Sequence, residues 1–235
     1  MNIKLNSIWG IDDAIASMYF SKRTWNQELD NEIRNRIENN TNRKGFLISE
    51  DEKLTKDLNL LAKWGVTHIT LLRFIQLSFV VEGLHRGGQD DWDSHARRFD
   101  NRIIRSSTRL ANFGNEKSEY YKDKILTTDE ALKLLNINVP DSITANGIEY
   151  IKSVNGYVQS QYKDDRDVSR GLYMLSIPSN FIFQISLCEW SHVYKERYSK
   201  GTANPEVKDC AEECQMAIEK YYPMFNKEFM LKIHN

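Results

Sequence analysis

The chain has no long apolar run. Its longest candidate, residues 71–81, is broken by Arg73 and Gln76, whereas a bilayer span needs roughly 18 apolar residues or more. The opening stretch MNIKLNSIWGIDDAIASMYF lacks the apolar core and small-residue cleavage site of a secretory signal. Cysteine is scarce: Cys188, Cys210 and Cys214 form an odd set without CxxC spacing. Reduced thiols in a cytoplasmic protein are the expectation. Cys210 and Cys214 stand four apart on an expected helix, but no His or third Cys completes a zinc site, so no metal is expected. A charge excess is missing too, with 32 Lys+Arg against 33 Asp+Glu. That balance speaks against non-specific nucleic-acid binding as the main task. GxSxG, HExxH, the P-loop and GxGxxG are all absent, and the five histidines are dispersed. An enzyme without these motifs would take its reactivity from a cofactor.

What is present is a chain of 235 residues, 40% hydrophobic and 11% aromatic. That is enough for a substantial core, and with no internal repeat or linker the expectation is one domain, residues 1–235. Apolar periodicity predicts a short amphipathic helix over 11–20 and a polar one over 28–39, followed by a loop, NNTNRKG. Ser49 with Glu52 reads as a capping box opening a helix that runs to Trp64 and stops at Gly65. Residues 69–82, rich in Leu, Ile, Phe and Val, suit a buried strand. The glycines of EGLHRGGQDDWD predict a break in regular structure, with Asp90, Asp91 and Asp93 as a solvated acidic turn. Polar residues 113–123 read as loop, and 128–135 and 148–162 as helices. An apolar stretch, 181–194, follows Pro178, and a last long helix, 206–222, is bounded by Pro205 and Pro223. Trp92 and Trp190 are expected to fill the core or subunit contacts.

Positive charge is concentrated in HARRFDNRIIRSSTRL. Arg98, Arg102, Arg105 and Arg109 follow one another at spacings of four, three and four. On a helix this aligns four guanidinium groups, with Phe99, Ile103 and Leu110 on the buried face. Either the stripe is a solvated basic face or it grips an anion, and the planar guanidinium fork suits phosphate. In a nearly neutral chain, local compensation favours a small anionic ligand over a polyanion.

Several segments, in order, resemble the flavin-dependent thymidylate synthase family. GVTHITLLRF is similar to its Gly-His-x-Thr-x-x-Glu segment, with Arg73 in place of the glutamate. FVVEGLHR resembles the family strand and its Gly-hydrophobic-Ser-Arg turn. The family's Arg-His-Arg tripeptide corresponds either to His95 within Ser94-His95-Ala96, with a short insertion afterwards, or to ungapped Arg97-Arg98-Phe99. Ser107-Thr108-Arg109-Leu110 matches its Ser-x-Arg-Tyr with leucine for tyrosine. The segment from Ser169 to Cys214 looks like the family's closing strand and helix.

The resemblance implies an α+β fold, a mixed or antiparallel sheet flanked by helices, assembled as a homotetramer whose sites are shared between subunits. It implies FAD as cofactor, NADPH and methylenetetrahydrofolate as co-substrates, and reductive methylation of dUMP to dTMP. Such chemistry needs no enzyme cysteine to attack the pyrimidine. By the same resemblance His68, Thr70, His95, Arg97, Arg98, Ser186 and His192 would contact flavin. Ser107, Arg109 and Arg170 would bind the nucleotide, Arg109 and Arg170 at its phosphate, while Arg197 would lie beside the uracil ring as the catalytic arginine. The departures from the family pattern leave room for the same fold with altered chemistry. Examples are a pyrimidine nucleotide hydroxymethylase, a methylase acting on another nucleotide, or a non-catalytic nucleotide-binding relative.

Overall fold

Alternating apolar residues build an antiparallel sheet in the computed structural model, which describes residues 1–49, 51–94, 101–105, 178–199 and 205–233. Its strands are β1 (Asn2–Trp9), β2 (Gln76–His85), β3 (Asn101–Arg105) and β4 (Pro178–Ser186), in the order β1-β2-β4-β3. The register pairs Leu5 with Phe79, Phe79 with Phe183 and Ile103 with Phe183. Period-two alternation thus turns Leu77, Phe79, Val81, Phe181, Phe183 and Ile185 into the core, all almost fully buried. On the other face Val80, Ile182 and Ile104 form a row across three strands. Ile182 and Ile104 are 49% and 76% exposed there.

Helices cover the inner face. Early in the chain come α1 (Ile11–Ser21), α2 (Gln27–Asn40) and α3 (Glu52–Gly65), then a 3-10 turn (Ile69–Arg73). Next, α4 (Arg86–Ser94) follows β2, and β4 runs into α5 (Leu187–Tyr194) and a π-helical turn (Lys195–Ser199). Last are α6 (Pro205–Glu219), a 3-10 turn (Pro223–Phe225) and α7 (Lys227–Lys232). The architecture is α+β. Trp92 of α4 and Trp190 of α5 lie 6.1 Å apart between Phe79, Phe181 and Phe183. Both tryptophans are core residues. The indole N–H of Trp190 donates to Gln215 Oε1 at 2.9 Å, and the Gln215 amide donates to the Phe225 carbonyl at 2.7 Å. One buried polar side chain thereby ties α5, α6 and the terminal turn with its bonds made.

Ion pairs fasten the first helices. Arg34 of α2 reaches Asp12, Asp13 and Asp30 at 2.7, 2.9 and 2.9 Å. Arg36 pairs with Asp57 of α3 at 2.9 Å, and the Tyr19 hydroxyl of α1 donates to the same carboxylate at 2.6 Å. Three helices therefore meet on one buried carboxylate.

Several sequence expectations are corrected. The stretch expected as an arginine helix contains β3, because Ile103 and Ile104 pair with Phe183 and Ile182 of β4. Over 101–105 the backbone is strand rather than helix, so the helical spacing of the arginines is not realised there. Arg98 and Arg109 lie outside the described residues. EGLHRGGQDDWD does not break regular structure: β2 continues to His85 and α4 begins at Arg86. Gly88 is tolerated in that helix because α6 passes close by, and a Cβ there would stand 2.9 Å from Glu206 Oε2. In 69–82 the strand begins only at Gln76, after the 3-10 turn. Asp51, not Ser49, caps α3 by accepting from the Leu54 N–H at 2.7 Å, while Ser49 donates to Asn40 Oδ1. The last long helix stops at Glu219 rather than 222. Strand β1 had no sequence expectation at all. The segments 113–123, 128–135 and 148–162 lie outside the described residues. The three cysteines are buried and form no disulfide, and burial pushes the Cys214 thiol well up. No helix among the described residues is long and apolar enough to cross a membrane.

Candidate functional site

The 3-10 turn after α3 presents two expected flavin contacts. Helix α3 ends at Gly65, and the chain doubles back on the Trp64 carbonyl, which accepts from the His68 N–H at 2.8 Å and the Thr67 N–H at 3.1 Å. His68 and Thr70 are both exposed, while Leu71 and Leu72 of the same turn are buried. The apolar pair anchors the turn and leaves the imidazole and hydroxyl at the surface. The His68 ring lies 5.2 Å from the Trp64 ring, tilted by 30°. On that same indole sits the Lys22 ammonium, 4.3 Å from the ring centroid.

Helix α5 packs against this turn, and the Leu187 N–H donates to the Ile75 carbonyl at 2.8 Å. The elements carrying His68, Thr70, Ser186 and His192 are thus brought together by a fold that separates them by more than a hundred residues in sequence. Ser186 is buried, and its hydroxyl caps α5 by accepting from the Glu189 N–H at 3.2 Å. One lone pair is thereby committed to the helix end. His192 is partly exposed in the last turn of α5.

Arg197 follows in the π-helical turn. It is 2% exposed, and its Nη2 donates to the Trp92 carbonyl at 3.2 Å, so a buried guanidinium joins the end of α5 to α4. Asp90 of α4 stands 3.4 Å from Arg86 and 3.3 Å from Arg105 of β3. The expected acidic turn is therefore a helical carboxylate that does lie among arginines. Burial, then the Arg86 charge, push the Arg105 guanidinium below its ordinary value, and Asp90 opposes them. His95, Arg97, Arg98, Ser107, Arg109 and Arg170 lie outside the described residues.

Two clefts, about 560 and 390 Å³, lie elsewhere. One lies between α3 and the Pro223–Phe225 turn, the other beside Gly10 and Arg34. Neither is lined by any expected site residue. Sequence reasoning missed Trp64 and Lys22, although Trp64 stands four residues before His68, the spacing at which a helical turn superposes side chains.

Comparison with known proteins returns the same fold. No family model and no curated sequence matches the chain. Among solved structures, thymidylate synthase X (ThyX) from Helicobacter pylori, with FAD and dUMP, is 15% identical with a TM-score of 0.66. That match covers 98% of this chain and 100% of the other. A second structure of the flavin-dependent thymidylate synthase ThyX from the same organism, complexed with FAD and dUMP, gives 0.63 at 15% identity, covering 97% and 100%. The chain therefore has the fold of these flavin-dependent thymidylate synthases at 15% sequence identity.

Proposed function

We propose that the chain is an FAD-dependent enzyme acting on a pyrimidine nucleotide, with reductive methylation of dUMP to dTMP as its leading reaction. NADPH and methylenetetrahydrofolate are its co-substrates. The observation that carries the reading is the full-length match in fold to proteins holding FAD and dUMP. It agrees with motif-like segments that run in the same order along the chain. The described residues fit a flavin: an exposed imidazole and hydroxyl on one turn stand beside the helix bearing a partly exposed His192. When bound, the flavin supplies the redox chemistry of the methylation.

In this reading the chain's own residues bind and orient. His68, Thr70 and His192 hold the cofactor, with Ser186 fixing the start of α5, and His95 or Arg97 and Arg98 contribute from the segment after α4. Arg109 and Arg170 neutralise the nucleotide phosphate, and Ser107 contacts the nucleotide. Arg197 faces the base and stabilises charge that develops on the ring, an effect strengthened by its burial. The chain assembles as a homotetramer with shared sites, and the exposed Ile104 and Ile182 offer an apolar surface for contact between subunits. Buried cysteines outside any disulfide suit a reducing, cytoplasmic setting.

A second reading keeps the fold and changes the nucleotide chemistry. Arg73, exposed at the end of the 3-10 turn where the family pattern has an acid, favours it. The test is the absorption spectrum of protein purified without added cofactor, followed by dUMP calorimetry. A flavin spectrum with dUMP binding is expected. Flavin with preference for another nucleotide would move the function to the second reading. Nucleotide binding without flavin would identify a non-catalytic relative.

A further inference from the structure

The surface around the 3-10 turn holds an arrangement that the family resemblance does not account for. Trp64 lies at the end of α3, and three donors converge on its carbonyl: the His68 and Thr67 N–H groups and the Thr67 hydroxyl, at 2.8, 3.1 and 3.2 Å. These bonds fold the chain so that the ring of residue 68 returns over the ring of residue 64, at 5.2 Å. An exposed histidine on a turn ordinarily samples several rotamers; one resting on an indole loses most of them. Lys22, the residue that ends α1, places its ammonium 4.3 Å from the same indole and 5.8 Å from the Tyr19 ring. Tyr19 is itself fixed by its hydrogen bond to Asp57. The indole is therefore held from α1 as well as from α3, and His68 rests on a fixed base.

We propose that Trp64 is a positioning residue for cofactor binding: its indole, steadied by Lys22, holds the His68 imidazole in the orientation that meets the flavin. This rests on the flavin reading of His68. Holding a binding group in one orientation lowers the ordering cost of association, so the effect appears in affinity and travels through His68. Removing the aromatic face should weaken FAD binding about three- to tenfold, the range of a single aromatic contact. Phenylalanine, which retains a face, should restore most of it. Because Trp64 acts through His68, the two losses must not add.

The experiment has two independent readouts on full-length protein. The first is the His68 imidazole proton resonances by NMR in flavin-free protein, for the parent, Trp64→Leu and Trp64→Phe. Ring-current displacement is expected in the parent, partly kept in the phenylalanine variant and lost in the leucine variant. The second is the FAD dissociation constant of Trp64→Leu, His68→Ala and the double variant. Support requires that the double variant bind no worse than His68→Ala alone. Fully additive losses, or unchanged affinity in Trp64→Leu, would overturn the proposal while leaving the flavin reading intact. If the parent binds no FAD, the flavin reading fails and the cofactor role with it. The NMR series would then still report whether Trp64 fixes His68, and identical resonances in all three proteins would overturn that as well.

Discussion

Replacing Asp57 by alanine should loosen the junction of α1, α2 and α3, of which α1 and α3 pack against the candidate cofactor turn. Asp57 is 5% exposed. It accepts from Arg36 at 2.9 Å and from the Tyr19 hydroxyl at 2.6 Å. Removing one partner of a buried pair costs about 3–5 kcal/mol, because the other charge is left uncompensated. Here Arg36 retains Glu32 at 2.7 Å, with Asp51 at 3.8 Å, so the charge is not abandoned. Glu32 is half exposed and screened, which leaves an expected loss of about 2–3 kcal/mol. Tyr19→Phe removes one hydrogen bond only and should cost about 1 kcal/mol. The assay is urea unfolding at neutral pH, with a double-mutant cycle between positions 19 and 57. The network also sets an alkaline limit. Burial, with the hydrogen bond to Asp57, pushes the Tyr19 phenol up to about 12. A raised phenol contributes stability that is full below the unfolded value near 10 and lost as pH climbs through the folded value. Stability should thus fall between about pH 10 and 12, and Tyr19→Phe should flatten part of that slope. Tyr194 and Tyr222, both raised by burial, add to the same alkaline loss. A loss below about 0.5 kcal/mol for Asp57→Ala, within the usual surface range, would refute the network as a support.

Other outcomes can be measured directly. Substituting His68 and Thr70 together by alanine should weaken FAD retention, read by equilibrium dialysis, with the unfolding midpoint unchanged because both side chains are exposed. Arg109→Ala and Arg170→Ala should each weaken dUMP binding about ten- to a hundredfold in calorimetry. Arg105→Ala, whose guanidinium faces Asp90, should change affinity little, and equal small losses in all three would reduce the arginines to a solvated basic surface. Gly10 has φ +75, and a Cβ there would stand 2.0 Å from the Phe74 carbonyl oxygen, backbone against backbone. Gly10→Ala should therefore destabilise by about 2–4 kcal/mol in urea unfolding, beyond the cost of a left-handed alanine alone.

Local pattern sufficed wherever one element's own periodicity decides its conformation. α1 and α2, the stop of α3 at Gly65 and the Pro205 start of α6 are all legible in the residues themselves. For the candidate site the residues supply an expectation only: His68, Thr70, Ser186, His192 and Arg197 sit in short segments whose order resembles a known family. The tertiary structure decided the rest. The arginine stretch obeys helical spacing, yet Ile103 and Ile104 become strand because β4 offers Phe183 and Ile182 in register, and pairing with a distant strand outweighs weak local propensity. The glycines of α4 read as a breaker until α6 is seen lying against Gly88. Nor can spacing reveal that α5 closes over the 3-10 turn, that Ser186 is a helix cap, or that Arg197 reaches the Trp92 carbonyl. Those facts depend on contacts between residues far apart in the chain, which a one-dimensional pattern does not encode and only the assembled sheet and its packed helices bring about.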